Sequence, residues 1–219
     1  MSINAARTRP VVRPQENEKP KPFVKWVGGK RRLVPALIEM MPDFDMYHEP
    51  FVGGGALFFG LSSVDIEGSW ANLSDQNLRL IRTYRAIRDD VYGVIERLDD
   101  MASRHSKELY YEVRDRDIDS AKVDAEVAAW FVYLNRTGFN GLYRVNRSGR
   151  FNVPLGRYEN PKICDEKNLL VVSRVLQGAE IRHEGFESVF DRACPGDLVY
   201  FDPPYVPRTP TANFTSYTA

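Results

Sequence analysis

The sequence predicts an α/β fold with a mostly parallel sheet, and three observations support this prediction. Short apolar stretches typical of buried strands alternate along the chain with segments of helical periodicity. Three glycines, Gly53–Gly55, follow one such strand and open a helix, where the backbone must turn tightly. The last apolar stretch, Leu198–Phe201, stops at Asp202 and two prolines, which cannot continue a strand.

The composition is typical of a globular protein from a reducing compartment. The 219 residues include 30 basic and 30 acidic side chains, so the net charge is zero. Hydrophobic residues make up 43% of the chain. Contacts with nucleic acid would therefore depend on local clusters of charge. Cys164 and Cys194 form no CxxC pair, which argues against a disulfide framework or a metal site. No apolar run approaches the roughly 18 residues of a membrane span, so we expect a cytoplasmic protein without a membrane partner.

We divide the chain into a tail, a core domain and an insertion. Residues 1–21 are rich in Arg and Pro, with little that could be buried, and are predicted to be disordered. Residues 22–100 and 160–219 form the α/β domain, interrupted by a helical and hairpin insertion over 101–159. Apolar periodicity and capping residues predict helices over Leu33–Met40, Leu78–Leu98, Lys107–Arg116, Asp124–Arg136 (capped by Asp124) and Ile163–Leu176, and the predicted strands include Ser69–Ser74 and Glu180–Glu184.

The insertion contains a basic segment without acidic residues. No Asp or Glu occurs from Val127 through Tyr158, whereas five arginines and several aromatic residues do. Asn140-Gly141 and Ser148-Gly149 are turn signals, and they predict a hairpin over Tyr143–Val153. Arginines hold phosphates or read guanine edges, and aromatic rings stack on bases, so the segment predicts contact with nucleic acid. An ordinary solvated loop is the alternative.

Three features upstream of the insertion have two interpretations each. Gly28-Gly29-Lys30 resembles part of a phosphate-binding NTPase loop, but Val24 occupies the early glycine position, so this alternative is weak. Trp26 either stacks on a flat ligand or fills the core. Asp75 follows a predicted strand and lies 22 residues after Gly53. An acid at this position either binds a nucleotide ribose or caps the next helix.

Four stretches together resemble the DNA adenine methyltransferase (Dam) family: Phe23–Lys30, Glu49–Gly55, Tyr133–Tyr158 and Asp202–Tyr205. Their order matches that of the family, and the resemblance extends from about Pro22 to Tyr217. It implies a Rossmann-like class I methyltransferase sheet that binds S-adenosylmethionine. The insertion would then recognise the target, and the product would be N6-methyladenine in double-stranded DNA.

The resemblance also implies a role for individual residues. The residues expected to bind the cofactor are Trp26, Lys30, Phe51, Gly53, Asp75, Phe186 and Asp202. The expected catalytic residues are Asp202, Pro203, Pro204 and Tyr205. The expected DNA contacts are Arg136, Phe139, Asn140, Leu142, Arg144 and Tyr158, with Arg144 as the candidate for a guanine in GATC, the family's usual site. No metal is required.

The chemistry of the reaction explains these residue types. An adenine inside a duplex cannot reach a methyl donor, so it must be flipped out and held by stacking, here on Tyr205. Its amine is a weak nucleophile. Asp202 and the carbonyl of Pro203 would accept its hydrogen bonds and stabilise the positive charge that develops on nitrogen.

The chain ends 14 residues after Tyr205, whereas family members continue with further strands. Leu198–Phe201 would then form a bare apolar edge, and we expect poor stability in isolation unless a partner chain or an oligomer completes the sheet.

Two alternative functions remain open. One is a truncated DNA-binding fragment without activity, and the other is an amino-methyltransferase of another base, such as cytosine N4, or of RNA. The family resemblance implies a bacterial or phage-encoded protein. Restriction–modification, solitary and phage roles all remain open.

Overall fold

The computed structural model describes residues 19–62 and 70–204, and within them it confirms the α/β class. Most of the predicted tail and Tyr205 lie outside these residues. Four parallel strands form one sheet in the order β3-β2-β1-β4. They are β1 (Tyr47–Glu49), β2 (Ala71–Asp75), β3 (Ala179–His183) and β4 (Leu198–Val199).

Seven α-helices and three short 3₁₀ turns are described around this sheet. The helices are α1 (Val34–Glu39), α2 (Ala56–Leu61), α3 (Leu78–Asp89), α4 (Val91–Ser103), α5 (Lys107–Arg114), α6 (Asp124–Thr137) and α7 (Glu166–Leu176). The 3₁₀ turns are Ile118–Ser120, Phe139–Gly141 and Phe186–Asp191. Among the described residues, no helix is long and apolar enough to cross a membrane.

Several helix ends differ from the sequence prediction by one to three residues; for example, α5 ends at Arg114 rather than Arg116, and α7 begins at Glu166 rather than Ile163. Two further differences have a clear physical reason. The apolar periodicity from residue 78 to 98 covers two helices, because Asp90 leaves the helical conformation and its side chain accepts the Gly93 N–H, which begins α4. Asp124 does not cap α6: Val123 occupies the N-cap position, and the Asp124 carboxylate accepts a hydrogen bond from Arg82 instead, at 2.6 Å. An acid in the first turn still suits the positive end of the helix dipole.

Helix α6 joins the insertion to the rest of the fold. Most of its side chains are buried, and it packs against α3 and α4. The indole N–H of Trp130 donates to the Val113 carbonyl at 2.8 Å. Because its apolar residues share one buried cluster with those of the strands, residues 101–159 have no separate core, and the predicted domain boundary remains a prediction.

The predicted hairpin is present at the end of the insertion. Val145 pairs antiparallel with Phe151, and the Asn146 N–H donates to the Arg150 carbonyl at 2.9 Å. The Asn146 side chain accepts two backbone N–H groups of the turn, and Gly149 has a φ of 71°. This turn chemistry explains why an Asn and a Gly stand at these positions.

Strand β4 is attached to β1 by backbone and side-chain hydrogen bonds. The Leu198 N–H donates to the Met46 carbonyl and the Tyr200 N–H to the His48 carbonyl, both at 2.8 Å. The His48 Nε2 atom lies 2.9 Å from the Asp197 carboxylate in the turn before β4. The residues that follow β4 therefore emerge beside the end of β1.

The strand order places a topological switch point between β1 and β4. From β1 the chain proceeds outward through β2 to β3, and then returns to the other side of β1 as β4. In open α/β sheets, ligands bind in the crevice at the carboxyl ends of the two strands that flank such a point. In this protein those ends lead into the glycine turn after β1 and Asp202 after β4.

Candidate active site

The glycine turn after β1 lies against Trp26. Gly53 has a φ of 46°, and a Cβ atom there would lie 2.5 Å from the Trp26 Nε1 atom. Gly55 has a φ of 65° and forms the N-cap of α2. Both the left-handed backbone and the close indole ring therefore require glycine at residue 53.

Asp75 at the end of β2 holds this turn in place. Its carboxylate accepts the Gly53 N–H at 3.1 Å and the Asn77 N–H at 2.9 Å. Burial raises the pKa of Asp75, although these two hydrogen bonds oppose the shift. The cap of α3 is Asn77, whose side chain accepts the Leu80 N–H, so the capping alternative for Asp75 is wrong. Its predicted role toward a ribose stays a prediction.

Lys30 and Asp202 form an ion pair across the crevice. The Lys30 Nζ atom lies 2.6 and 2.7 Å from the two Asp202 carboxylate oxygens, and it also donates to the Gly28 carbonyl at 2.9 Å. Both side chains keep about a fifth to a quarter of their surface exposed, at 19% and 26%. Two stretches that are 172 residues apart in sequence thus meet at one point. Pro203 and Pro204 follow at the surface.

Three phenylalanines lie together beside the switch point. The Phe51 and Phe186 rings stack with centroids 5.5 Å apart and planes 24° from parallel. The Phe201 ring lies beside both, with its centroid 6.3 Å from that of Phe51 and 6.5 Å from that of Phe186, and Phe201 is 44% exposed. Sequence reasoning selected the first two and missed Phe201, although an aromatic residue directly before Asp202 was a usable signal.

Glu49 is a buried acid that sequence reasoning did not assign. Only 4% of its surface is exposed, and it accepts a hydrogen bond from the Tyr47 hydroxyl at 2.9 Å. Burial raises the pKa of Glu49 to about 8, and the nearby charges of Asp202 and Asp75 act in the same direction. The Glu49 carboxyl is consequently neutral over most of the physiological pH range. Its position directly before Pro50 in the glycine motif was the available signal.

Trp26 packs against the insertion. Its ring stacks on Phe131 at 6.3 Å and on Tyr143 at 6.0 Å, with interplanar angles of 18° and 23°. The tryptophan is partly buried and also contacts Gly53 and Gly54 of the glycine turn. The structure thus shows the packing role that the sequence left open, and the ligand role stays a prediction.

Four of the six predicted DNA-contact residues are exposed on the insertion. Phe139 is 46% exposed, Asn140 is exposed with a φ of 54°, and Tyr158 is 37% exposed. Arg144 is exposed, and its guanidinium donates to the Asn152 side chain at 2.7 Å and to the Asn152 carbonyl at 3.2 Å. These residues occupy the 3₁₀ turn, the hairpin and the segment after it.

The other two predicted contacts are directed inward. Leu142 is partly buried and packs against the hydrophobic core. The Arg136 guanidinium donates to the Phe23 carbonyl at 2.8 Å, and its buried Nε atom has no hydrogen-bond partner within residues 19–62 and 70–204. Burial lowers the pKa of Arg136. Through its hydrogen bond to the Phe23 carbonyl, this partly buried side chain holds the segment around Phe23.

Lys25 is a surface cation that the sequence prediction did not include. Its Nζ atom lies 3.0 Å from the Tyr158 hydroxyl and 4.4 Å from the centre of that ring. The contact brings a positive charge from the Phe23–Lys30 motif to the exposed face of the insertion. Among the described residues, no cluster of three or more His, Cys, Asp or Glu side chains could hold a metal ion.

Comparison with known proteins identifies the family. The family model for the D12 class N6 adenine-specific DNA methyltransferases matches residues 26–219. The chain belongs to this D12 methyltransferase family. Gly28-Gly29-Lys30 is thus part of a methyltransferase sequence, and the predicted adenine-N6 DNA methyltransferase activity is confirmed at the level of the family.

Three curated relatives of this D12 methyltransferase cover most of its length. It is 43% identical over 205 residues to the type II methyltransferase M1.LlaDCHI of Lactococcus lactis subsp. cremoris, covering 90% of this chain and 70% of the relative. It is 42% identical over 214 residues to the type II methyltransferase M.MjaIII of Methanocaldococcus jannaschii, with coverages of 90% and 73%. The DNA adenine methylase of Escherichia coli K12 is 36% identical over 202 residues, with coverages of 91% and 70%.

Proposed function

We propose that this D12 methyltransferase transfers a methyl group from S-adenosylmethionine to N6 of an adenine flipped out of double-stranded DNA. The observation that carries the proposal is the Lys30–Asp202 ion pair. It joins the glycine–lysine motif at the start of the fold to the Asp-Pro-Pro motif after β4. Methyl donor and target amine would then meet at the switch point between β1 and β4.

Residues around the glycine turn fit the cofactor. The left-handed backbone at Gly53 would lie under the cofactor, and Asp75 keeps carboxylate lone pairs beyond the two that accept N–H groups. We assign the ribose hydroxyls to Asp75 and the cofactor adenine to the Phe51–Phe186 pair. Trp26 and Lys30 would complete this site. When bound, S-adenosylmethionine supplies an electrophilic methyl group whose bond to sulfur breaks as the new bond to nitrogen forms.

Asp202 would orient the target amine. A carboxylate has about four lone-pair sites, so Asp202 can keep its ion pair with Lys30 and accept a hydrogen bond from N6 as well. The Pro203 carbonyl would accept the second N6 hydrogen, and the two prolines stiffen the backbone that carries both acceptors. Acceptors fixed in this way stabilise charge on the attacking nitrogen. Tyr205, which we expect to stack on the adenine, lies outside the described residues.

Exposed residues of the insertion would hold the DNA. We assign Phe139, Asn140 and Tyr158 to the flipped site and its neighbours, and Arg144 to a guanine within GATC. The Asn152 side chain orients the Arg144 guanidinium, which favours base reading over a loose phosphate contact. Lys25 beside Tyr158 adds a cation to this face.

Of the two predicted DNA-contact residues that are directed inward, only Arg136 receives a different role in this proposal. Leu142 is retained at the edge of the face, and Arg136 is assigned to packing because it donates to the Phe23 carbonyl. We also propose the domain limits given above and a cytoplasmic location, where bacterial DNA is accessible.

Transfer of labelled methyl groups to adenine-methylation-free duplex DNA tests the proposal. Replacing Asp202→Ala removes one fixed acceptor, and we expect the rate to fall by about 100-fold or more while DNA binding persists. Asp43→Ala, an exposed acid away from the site, is the matched control and keeps the wild-type rate. Equal rates for wild type and Asp202→Ala would contradict the assignment. DNA binding without any transfer would instead support the non-catalytic alternative.

A further inference from the structure

A short segment connects three parts of the proposed site. We call residues 25–30 the linking segment. Lys25 at its start contacts Tyr158 on the exposed face of the insertion that we assign to DNA. Trp26 contacts the glycine turn, and Lys30 at the end of the segment pairs with Asp202. A shift of this segment would therefore displace the DNA contacts, the cofactor residues and the catalytic acid together.

Asn135 of α6 fixes the beginning of the linking segment. This side chain is only 2% exposed. Its Oδ1 atom accepts the Lys25 N–H at 2.7 Å, and its Nδ2 group donates to the Lys25 carbonyl at 2.9 Å and to the Gly141 carbonyl at 2.8 Å. One buried amide thus joins the linking segment to the 3₁₀ turn that presents Phe139 and Asn140.

Tight packing reinforces this connection. Gly141 has a φ of 64°, and a Cβ atom there would lie 2.3 Å from the Lys25 side chain. Trp26 stacks on Phe131 of α6 and on Tyr143 at the base of the hairpin. Packed interiors transmit displacement because neighbouring atoms have little room to adjust separately.

We propose that Asn135 is a positioning residue that couples DNA binding to cofactor binding through the linking segment. The inference rests on the proposed function and adds to it a structural link between the two ligands. DNA contacts at Phe139 and Asn140 fix the 3₁₀ turn, Asn135 transfers that constraint to Lys25, and Trp26 and Lys30 then stand in place for the cofactor. By thermodynamic linkage the effect is reciprocal, so the cofactor also strengthens DNA binding by the same factor.

The chain offers a matched control for Asn135. Asn168 of α7 binds the Lys21 backbone in the same way, accepting its N–H and donating to its carbonyl, both at 2.9 Å. This second amide stabilises the same stretch of chain four residues earlier and makes no hydrogen bond to the insertion. Asn168→Ala therefore removes a pair of backbone hydrogen bonds with the same geometry, at a more exposed position, without breaking the connection between the two sites.

Calorimetric titration with S-adenosylhomocysteine measures the coupling, because this compound has no methyl group to transfer. Its dissociation constant is determined with and without a duplex that the wild-type protein methylates. We expect DNA to lower the constant by about fivefold or more in wild type and in Asn168→Ala. In Asn135→Ala the ratio should fall to within about twofold of one, with each ligand still bound separately.

A second pair of variants addresses the possibility that Asn135→Ala does not fold. Tyr143→Leu removes a ring on which Trp26 stacks, whereas Tyr143→Phe loses only the hydroxyl group that contacts Arg79. The coupling ratio should drop in the former and persist in the latter. A ratio of one in wild type, or an unchanged ratio in both Asn135→Ala and Tyr143→Leu, would overturn the inference while leaving the methyltransferase function intact. Failure of the wild-type protein to bind either ligand would overturn both.

Discussion

At the scale of single residues, the site is organised by buried or partly buried polar side chains with specific hydrogen bonds. Asp75 accepts a hydrogen bond from the Gly53 N–H, and Glu49 accepts one from the Tyr47 hydroxyl. Asn135 accepts the Lys25 N–H and donates to the Lys25 carbonyl. A buried polar group without partners would cost stability, so each of these side chains selects one conformation of its neighbours. The residues that touch the ligands therefore depend on residues that do not.

The raised pKa of Glu49 predicts how stability changes with pH. The pKa rises from an ordinary 4.5 to about 8 in the folded protein, so the folded state binds a proton that the unfolded state releases. This stabilisation is complete below pH 4.5 and is lost as pH rises toward 8, at up to about 1.4 kcal/mol per pH unit. Glu49→Gln should therefore flatten the fall in unfolding free energy between pH 5 and 8, as measured by urea titration.

Glu39→Gln, which changes an exposed carboxyl on α1, is the control and should retain the wild-type pH dependence. If Glu49→Gln and wild type lost stability in parallel over this range, Glu49 would not be the group that titrates.

At the scale of elements, α3 supports both the sheet and the insertion. Its Arg79 side chain is mostly buried and donates to the Asp119 carboxylate, the Tyr143 hydroxyl and the Gly149 carbonyl. The pKa of Arg79 is raised by its hydrogen bonds with Asp119. One guanidinium thereby fixes the hairpin that carries the exposed Arg144 onto a helix that also packs against β2 and β3.

Removing this guanidinium should loosen the hairpin. We expect Arg79→Ala to lower the free energy of unfolding by about 1–3 kcal/mol, because a charged donor that makes several hydrogen bonds is removed. Amide hydrogen exchange should accelerate over residues 144–151. Arg116→Ala, whose ion pair with Glu112 is exposed, should change stability by less than about 1 kcal/mol and leave that exchange unaltered. Unchanged protection of the hairpin in Arg79→Ala would refute this role.

The elements also show what the sequence could and could not predict. Periodicity and turn residues gave the strands, most helices and the hairpin, because these depend on local patterns. The break between α3 and α4 was missed because Asp90 interrupts no apolar spacing and acts through a capping hydrogen bond. The inward position of Arg136 depends on the Phe23 carbonyl, 113 residues away in sequence, which no local pattern contains.

At the scale of the whole molecule, the parallel sheet order 3-2-1-4 brings distant motifs to one crevice. The sequence predicted which motifs would matter, since each ends a strand or begins a helix. It could not predict the Lys30–Asp202 pair or the connection from Asn135 to Lys25, because both depend on how the completed sheet and α6 are packed. Three residues received a role only from the structure: Glu49 and Lys25 lie within motifs that the sequence had already selected, and Phe201 directly precedes one.

Because the net charge is zero, we expect DNA binding to depend on a local cluster of positive charge. Most of the affinity should come from the acid-free segment of the insertion, and its exposed arginines should therefore dominate the salt dependence. Replacing Arg147 and Arg150 by Ala should reduce the slope of log K against log salt by about 0.9 for each phosphate that is no longer neutralised. A double variant of the exposed Lys122 and Lys167 is the control and should keep the slope. Equal slopes for the two double variants would place the DNA elsewhere on the protein.

The expected acceptor of the methyl group is N6 of adenine in DNA. The most direct test digests duplex DNA to nucleosides after incubation with the protein and labelled S-adenosylmethionine, and separates them by liquid chromatography with mass detection. We predict that the label is found in N6-methyldeoxyadenosine and disappears with Asp202→Ala. Label in N4-methyldeoxycytidine, or in no nucleoside although the protein binds both ligands, would contradict this assignment of the site.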